Sequence, residues 1–156
     1  LLNNPNMLPG FNDSGTHITN MAFYDGNLRC LQIAQQEGMD RVASQVRRLT
    51  AEPADFIGVD AGTIEVGDRA DITLIDPQAL AAYDSEENSR FIWRDDYEHE
   101  QMVNRSDGVV ACVFVGGEQV WDGLRFTEAA GRRTLGRALR HRSWSPQRER
   151  PAIAAE

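Results

Sequence analysis

From residue 28 onward, apolar positions recur three and four residues apart. Leu28, Leu31 and Ala34 share one helical face, with Cys30 and Ile33 beside them, and Gly38 offers a stop. A second helix follows, with Asp40 placed to cap Arg41–Leu49 and Val42, Val46 and Leu49 spaced for one buried stripe. Pro53 then suits the first turn of a short helix through Ile57, with Gly58 as its exit. After Gly58 the period falls to two. Gly62–Asp68 reads as a short strand and tight turn, and Ala70–Asp76 as a strand halted by Pro77. Residues 84–100 are polar and acidic with aromatic islands at Phe91, Trp93 and Tyr97, and read as a long surface loop. Val109–Val115 is a nearly continuous apolar run. It ends in Gly116-Gly117, and Glu118-Gln119-Val120-Trp121 returns, so a β-hairpin is expected there.

The flanks differ from this middle. Residues 1–26 are rich in Asn, Pro and Gly, with short apolar runs at Met7-Leu8 and Met21–Tyr24. Leu1 opens the chain and Met7 lies inside that Pro/Asn-rich stretch, which reads as a cut chain. Pro146–Glu156 has little to bury, and disorder is expected for it. Thr134–Leu139 is compatible with a helix. No internal repeat is visible.

Composition narrows the class. Apolar residues at 41% and charged residues at 26% suit a soluble globular protein of one domain, or one domain plus part of another. No run approaches the roughly 18 apolar residues that span a bilayer, and residues 1–27 show no charged-then-apolar pattern that would suggest secretion. Cys30 and Cys112 are far apart and lie in apolar stretches, so small buried thiols are expected, together with a reducing, cytoplasmic compartment. The net charge of −8 is uneven: residues 1–131 hold 9 Arg against 22 carboxylates, and 132–150 hold seven Arg against one Glu. Such a basic run can contact nucleic acid or a membrane. It lacks the interleaved aromatics of a single-strand binder, so it reads instead as a segment folding back on the acidic body.

Asn12-Asp13-Ser14-Gly15-Thr16-His17 is the best candidate for chemistry. A carboxylate and an imidazole four residues apart converge on one metal or one water if Gly15 bends the chain between them. The same letters also suit a turn whose side chains bond their own backbone. Asp25-Gly26-Asn27 reads as a turn and helix entry. His99 among Asp95, Asp96, Glu98 and Glu100 could ligate a metal but fits a solvated acidic loop better, and His141 is expected to be exposed. No nucleophile elbow, phosphate-binding loop or dinucleotide fingerprint is present.

Three segments, in this order, resemble the closing portion of amidohydrolase-superfamily enzymes. Leu8–His17 is similar to the segment ending the last barrel strand, where the family places an aspartate at its metal centre. Arg48–Gly58 resembles the threonine-then-Pro-Ala helix pair leading out of the barrel. Gly62–Pro77 is close to the G-x-I-x-x-G-x-x-A-D-hydrophobic-D-P passage where a small β domain resumes. The ending from Val113 to Gly123 resembles the family's last hairpin. Gly136-Arg137-Ala138-Leu139-Arg140 is similar to the close of D-aminoacylases, the N-acyl-D-amino-acid deacylase branch.

The resemblance implies an α+β chain, the end of a (β/α)8 metal-hydrolase barrel (last strand loop and helices) followed by strands of a small β-sandwich. Its divisions are 1–57 for the barrel segment, 58–131 for the β-rich portion and 132–156 for an Arg-rich tail, partly disordered. It implies that Asp13 ligates metal or acts as general base at the barrel rim, with His17 lining the same site. Zinc or a similar divalent ion serves the whole enzyme, and a small N-acyl amino acid is the substrate. The family's other histidines and its first β-domain strands have no counterpart here. The isolated chain is therefore expected to bind no catalytic metal, to hydrolyse nothing, and to self-associate as a homo-oligomer through unpartnered edges. No nucleic-acid or membrane partner is expected. The rival reading is a non-catalytic β-rich module that docks a protein partner through Trp93, Tyr97, Trp121 and Trp144.

Overall fold

The computed structural model describes residues 3–10 and 18–143. Elements run in the order β1 (Asn20–Met21), a 3-10 turn (Ala22–Asp25), α1 (Gly26–Gln36), α2 (Met39–Leu49), α3 (Ala51–Ile57) and β2 (Ile72–Ile75). There follow α4 (Pro77–Ala82), β3 (Ser89–Arg94), β4 (His99–Asn104), β5 (Val110–Val115) and β6 (Glu118–Trp121). The strands form two three-stranded sheets, ordered β1-β4-β3 and β2-β5-β6. The architecture is mixed α+β. Among the described residues no helix is long and apolar enough to cross a membrane.

Helix α1 forms as its periodicity directs, burying Leu31 and Ala34 with Leu28 packed beside them. The inner face of α2 departs from expectation. Its fully buried residues are Gln45 and Arg48, whereas Val46 is 43% exposed. The cause is a long-range demand. Arg48 Nη2 donates to the carbonyls of Asn4 and Met7, so the guanidinium turns inward to satisfy the opening loop. Val46 and Leu49 instead line an open cleft. Asp40 lies inside the first turn of α2, whose N-cap is Gly38. Helix α3 contains Pro53 in its first turn and ends on Gly58 at φ 70°, a left-handed cap that glycine adopts without a Cβ clash.

Residues 61–71 form no strand, contrary to the alternation in Gly62–Asp68. Among the described residues the only backbone bond they receive from another segment is Gly117 N to the Ala70 carbonyl at 2.9 Å, and Ile64 and Val66 stand in solvent. Helix α4 is likewise a departure, because Pro77 starts a helix rather than only ending a strand. Asp76 Oδ1 accepts from Gln78 N and Ala79 N, and Pro77 fills the first position, where no backbone donor is needed.

The stretch read as a surface loop is a second hairpin. β3 and β4 pair antiparallel from Ser89↔Asn104 to Arg94↔His99. β1 then adds to β4 in parallel, with Asn20 beside Met102 and Met21 beside Val103. In the other sheet β2 and β5 are antiparallel, and β5 returns to β6 through Gly116 (φ 59°) and Gly117 (φ 82°). Two positive φ angles are what a primed two-residue turn requires.

The core lies where α1 meets α4: Leu31, Leu80, Tyr83 and Val109 are buried together, with Leu49, Ile75 and Ala79 against them. Each aliphatic side chain enclosed there contributes about 1.5–3 kcal/mol. Residues 132–143 are not helical, and two of their arginines reach back to the body. Arg133 pairs with Glu118 at 2.8 Å and Arg142 with Asp55 and Asp60.

Candidate functional site

Asp13 and His17 lie outside the described residues, but both approaches to them are fastened. On the entering side, Gly10 adopts φ 100°, and a Cβ there would meet Asn27 Oδ1 at 3.3 Å and Leu49 at 3.6 Å. The chain therefore passes closely over the start of α1 and the end of α2. On the leaving side, Ile18 O accepts from Gln101 Nε2 at 3.0 Å and Thr19 O from Met102 N at 2.7 Å. Gln101 is 1% exposed, so this anchor is shielded from water.

Just beyond β1 a buried polar group joins three elements. The Tyr83 hydroxyl lies 2.9 Å from Asp25 Oδ2 and 2.5 Å from Asn104 Oδ1. Asn104 Nδ2 in turn donates to the Ser85 carbonyl and hydroxyl oxygens. Burial pushes the phenol up to about 12, and its hydrogen bond to the Asp25 carboxylate adds to the shift. Tyr83 therefore stays neutral and donates at any physiological pH. Asp25 was legible only as a turn residue. Its partner lies 58 positions away, beyond the reach of local spacing.

A cleft of about 580 Å³ opens between α2, α3 and the segment leading into β2. Its floor is apolar, from Leu31, Leu49 and Ile72, and carboxylates stand at its rim. Each rim carboxylate is engaged. Arg142 donates to Asp60 at 2.7 Å, to Asp55 at 3.0 Å and to the Val59 carbonyl at 3.0 Å. The two aspartates raise the Arg142 pKa further. The Thr63 hydroxyl and Glu65 N–H hold Asp68 below the usual carboxylate range. Asp71 is held low by the Gly116 N–H and by Arg69. These bonds order loops; Asp71 fixes the turn between β5 and β6 onto the start of β2.

The described residues bring no three His, Cys, Asp or Glu side chains together as a metal group. His99 Nδ1 is 3.0 Å from the Tyr97 carbonyl, and His141 Nδ1 is 2.7 Å from the Ser143 hydroxyl. Cys30 and Cys112 are free and half-buried, with the Cys30 thiol pushed up by burial. Of the candidate aromatic anchors, Trp121 is committed internally. Its indole N–H donates to the Val110 carbonyl, and its ring meets Phe126 edge-on at 5.2 Å. Trp93 and Tyr97 are exposed, and Trp144 lies outside the described residues.

The chain is similar to proteins of one superfamily. The Amidohydrolase family pattern matches residues 27–120. Uncharacterized protein Rv2913c of Mycobacterium tuberculosis and uncharacterized protein Mb2937c of Mycobacterium bovis are each 38% identical over 138 residues, covering 78% of this chain and 21% of the relative. A dihydroorotase of Geobacter metallireducens is 31% identical over 93 residues, covering 55% of this chain and 19% of the relative. No solved structure matches. The chain thus spans about a fifth of the length of the curated relatives it matches. The family match runs from the first turn of α1 almost to the end of β6, and the chain belongs to the amidohydrolase family.

Proposed function

We propose that the polypeptide carrying this segment hydrolyses a non-peptide amide bond of N-acyl-D-amino acids, and that the segment is its C-terminal part. The observation that carries the reading is one of order. An Asp-Ser-Gly-x-His sequence directly precedes β1, and the family-matched elements follow it. The Gly136–Arg140 ending supports the D-aminoacylase branch. In this reading α1–α3 close a (β/α)8 barrel, and β2, β5 and β6 belong to a small β-sandwich. Two free thiols support a reducing, cytoplasmic setting.

Asp13 accepts a proton from the attacking water and returns it to the leaving nitrogen. The C–N bond breaks as the new C–O bond forms, giving a carboxylic acid and a free D-amino acid. His17 lines the same site. A divalent ion, zinc in the enzymes this chain resembles, would be held in part by Asp13 and would supply Lewis acidity at the amide carbonyl. The described residues do not assemble a ligand set for it, so ligands other than Asp13 come from elsewhere in the polypeptide.

The test follows release of D-leucine from N-acetyl-D-leucine by the full natural polypeptide. Asp13→Asn lowers kcat by on the order of 10²–10⁴. Wild-type inactivity towards every N-acyl-D-amino acid tried, or an Asp13→Asn variant as fast as wild type, refutes the reading.

A further inference from the structure

We infer that Arg94 is a carboxylate-binding group, placed by Gln101 beside the residues that leave the candidate catalytic segment. For the identity of its ligand, an N-acyl amino acid, the inference rests on the hydrolase reading above. The geometry stands apart from it.

The argument begins with strand parity. Arg94 and His99 face each other across the β3–β4 hairpin, as do Ile92 and Gln101. These side chains share the inner face, while Phe91, Trp93, Glu100 and Met102 share the other. On the inner face Gln101 acts as a bracket. Its Oε1 accepts from Arg94 Nε at 3.2 Å and its Nε2 donates to the Ile18 carbonyl at 3.0 Å. A side chain 1% exposed thus ties a half-buried guanidinium to the backbone one residue after His17.

The outer end of that guanidinium is uncommitted. Gln101 holds Nε, and neither Nη atom has a partner among the described residues. This is not for want of anions. Asp95, Asp96, Glu98 and Glu100 lie within six positions, yet none makes an ion pair with Arg94. Glu100 projects from the opposite face, opposite Trp93, and the other three are exposed around the turn. Arg90, on the same strand, shows the contrasting case: its Nη2 is closed off by Asp107 at 2.7 Å. Beside Arg94, His99 is steadied through Nδ1 by the Tyr97 carbonyl, which leaves Nε2 as a second polar atom on the inner face.

A planar fork of N–H donors, oriented at one end and vacant at the other, matches a carboxylate or another planar oxyanion. Arginine is worth the cost of partial burial where such a geometry recurs, and a buried bracket keeps the fork aimed. The substrates proposed above carry a free α-carboxylate next to the scissile amide. Arg94 therefore selects the acid over its neutral derivatives.

The test uses the full natural polypeptide and a ligand it does not hydrolyse, N-methylsulfonyl-D-leucine, with the carboxamide of the same compound as the neutral partner. Calorimetric titration of wild type is expected to favour the acid by roughly ten- to a hundredfold, the size of a charge-assisted bidentate contact. Arg94→Gln erases that preference, and Arg94→Lys keeps only part of it because a point charge lacks the fork. Arg90→Gln removes the same charge from the same strand and keeps the preference. Absence of binding, a preference that survives Arg94→Gln, or an equal loss in Arg90→Gln overturns the assignment. If N-acetyl-D-leucine is not hydrolysed but the Arg94-dependent preference holds, the hydrolase reading falls while this one stands.

Discussion

Replacing Gln32 with Met tests how α4 is held to α1. Gln32 is 9% exposed, and every polar atom of its amide is used. Nε2 donates to the Leu80 carbonyl at 3.0 Å and to the Tyr83 carbonyl at 2.7 Å, while Oε1 accepts from Arg29 at 2.9 Å. Those two carbonyls belong to the end of α4, where the helix runs short of backbone donors. Methionine keeps the length and volume, so no cavity term enters. Three hydrogen bonds are lost: the exposed Arg29 replaces its own with water, and each buried carbonyl left without its donor costs about 1–3 kcal/mol. Leu80 retains a contact from Tyr83 N at 3.3 Å, which softens its share. The expected destabilisation is about 2–4 kcal/mol. Urea titrations followed by both tryptophan fluorescence and circular dichroism measure it. With a slope of about 2 kcal/mol/M, the midpoint falls by roughly 1–2 M. Arg41→Ala is the control, because its pair with Glu37 at 3.2 Å is half-exposed and worth at most about 0.5 kcal/mol. Equal midpoints for the two variants would mean that the Gln32 amide does not hold the helices together.

Acid stability gives a second prediction. Backbone and arginine contacts depress the folded pKa of Asp71. Its contribution is therefore present above the unfolded value near ~4 and lost as pH falls through the lower folded value. Asp71→Asn makes the acid limb of the stability–pH curve shallower, and an unchanged slope would show that the Gly116 contact carries no linkage. A third prediction compares two glycines with positive φ. A Cβ on Gly62 would sit 2.6 Å from the Thr50 carbonyl carbon and oxygen, whereas one on Gly67 meets nothing within 4 Å. Gly67→Ala costs only the backbone strain, about 1 kcal/mol, and Gly62→Ala costs roughly 2 kcal/mol more because backbone must move. Thermal melts separate them by about 4–8 °C, and identical midpoints would place residues 61–62 away from Thr50.

The parts of the fold legible in the sequence were those specified locally. The stripe of Leu28, Leu31 and Ala34 yields α1, and the pair Gly116-Gly117 yields the turn from β5 to β6. Helix α4 had its signal too, since an Asp followed by Pro is a capped helix start as well as a strand stop. The β3–β4 hairpin was harder. Its turn contains no Gly or Asn, and the positive φ falls on Glu98 at 53°, a residue type that rarely marks such a bend. Alternation in Gly62–Asp68 misled because period alone supplies no partner strand. The buried face of α2 was unreadable for a different reason, since Arg48 is drawn inward by carbonyls more than forty positions earlier. The same limit applies to the site. Asp13 and His17 stand out by spacing, but Gln101 and Arg94 acquire meaning only once β4 lies beside β1.

That parallel contact sets an order of events in folding. β1 is only two residues long and joins β4 across some eighty positions of chain, a closure costing about 4 kcal/mol in loop entropy. Two residue pairs cannot meet that cost in advance, whereas the β3–β4 hairpin closes over a four-residue turn within microseconds. The hairpin therefore forms first and captures the strand leaving the Asp13–His17 segment. During synthesis, the exit of that segment stays unanchored until residue 104 has emerged from the ribosome.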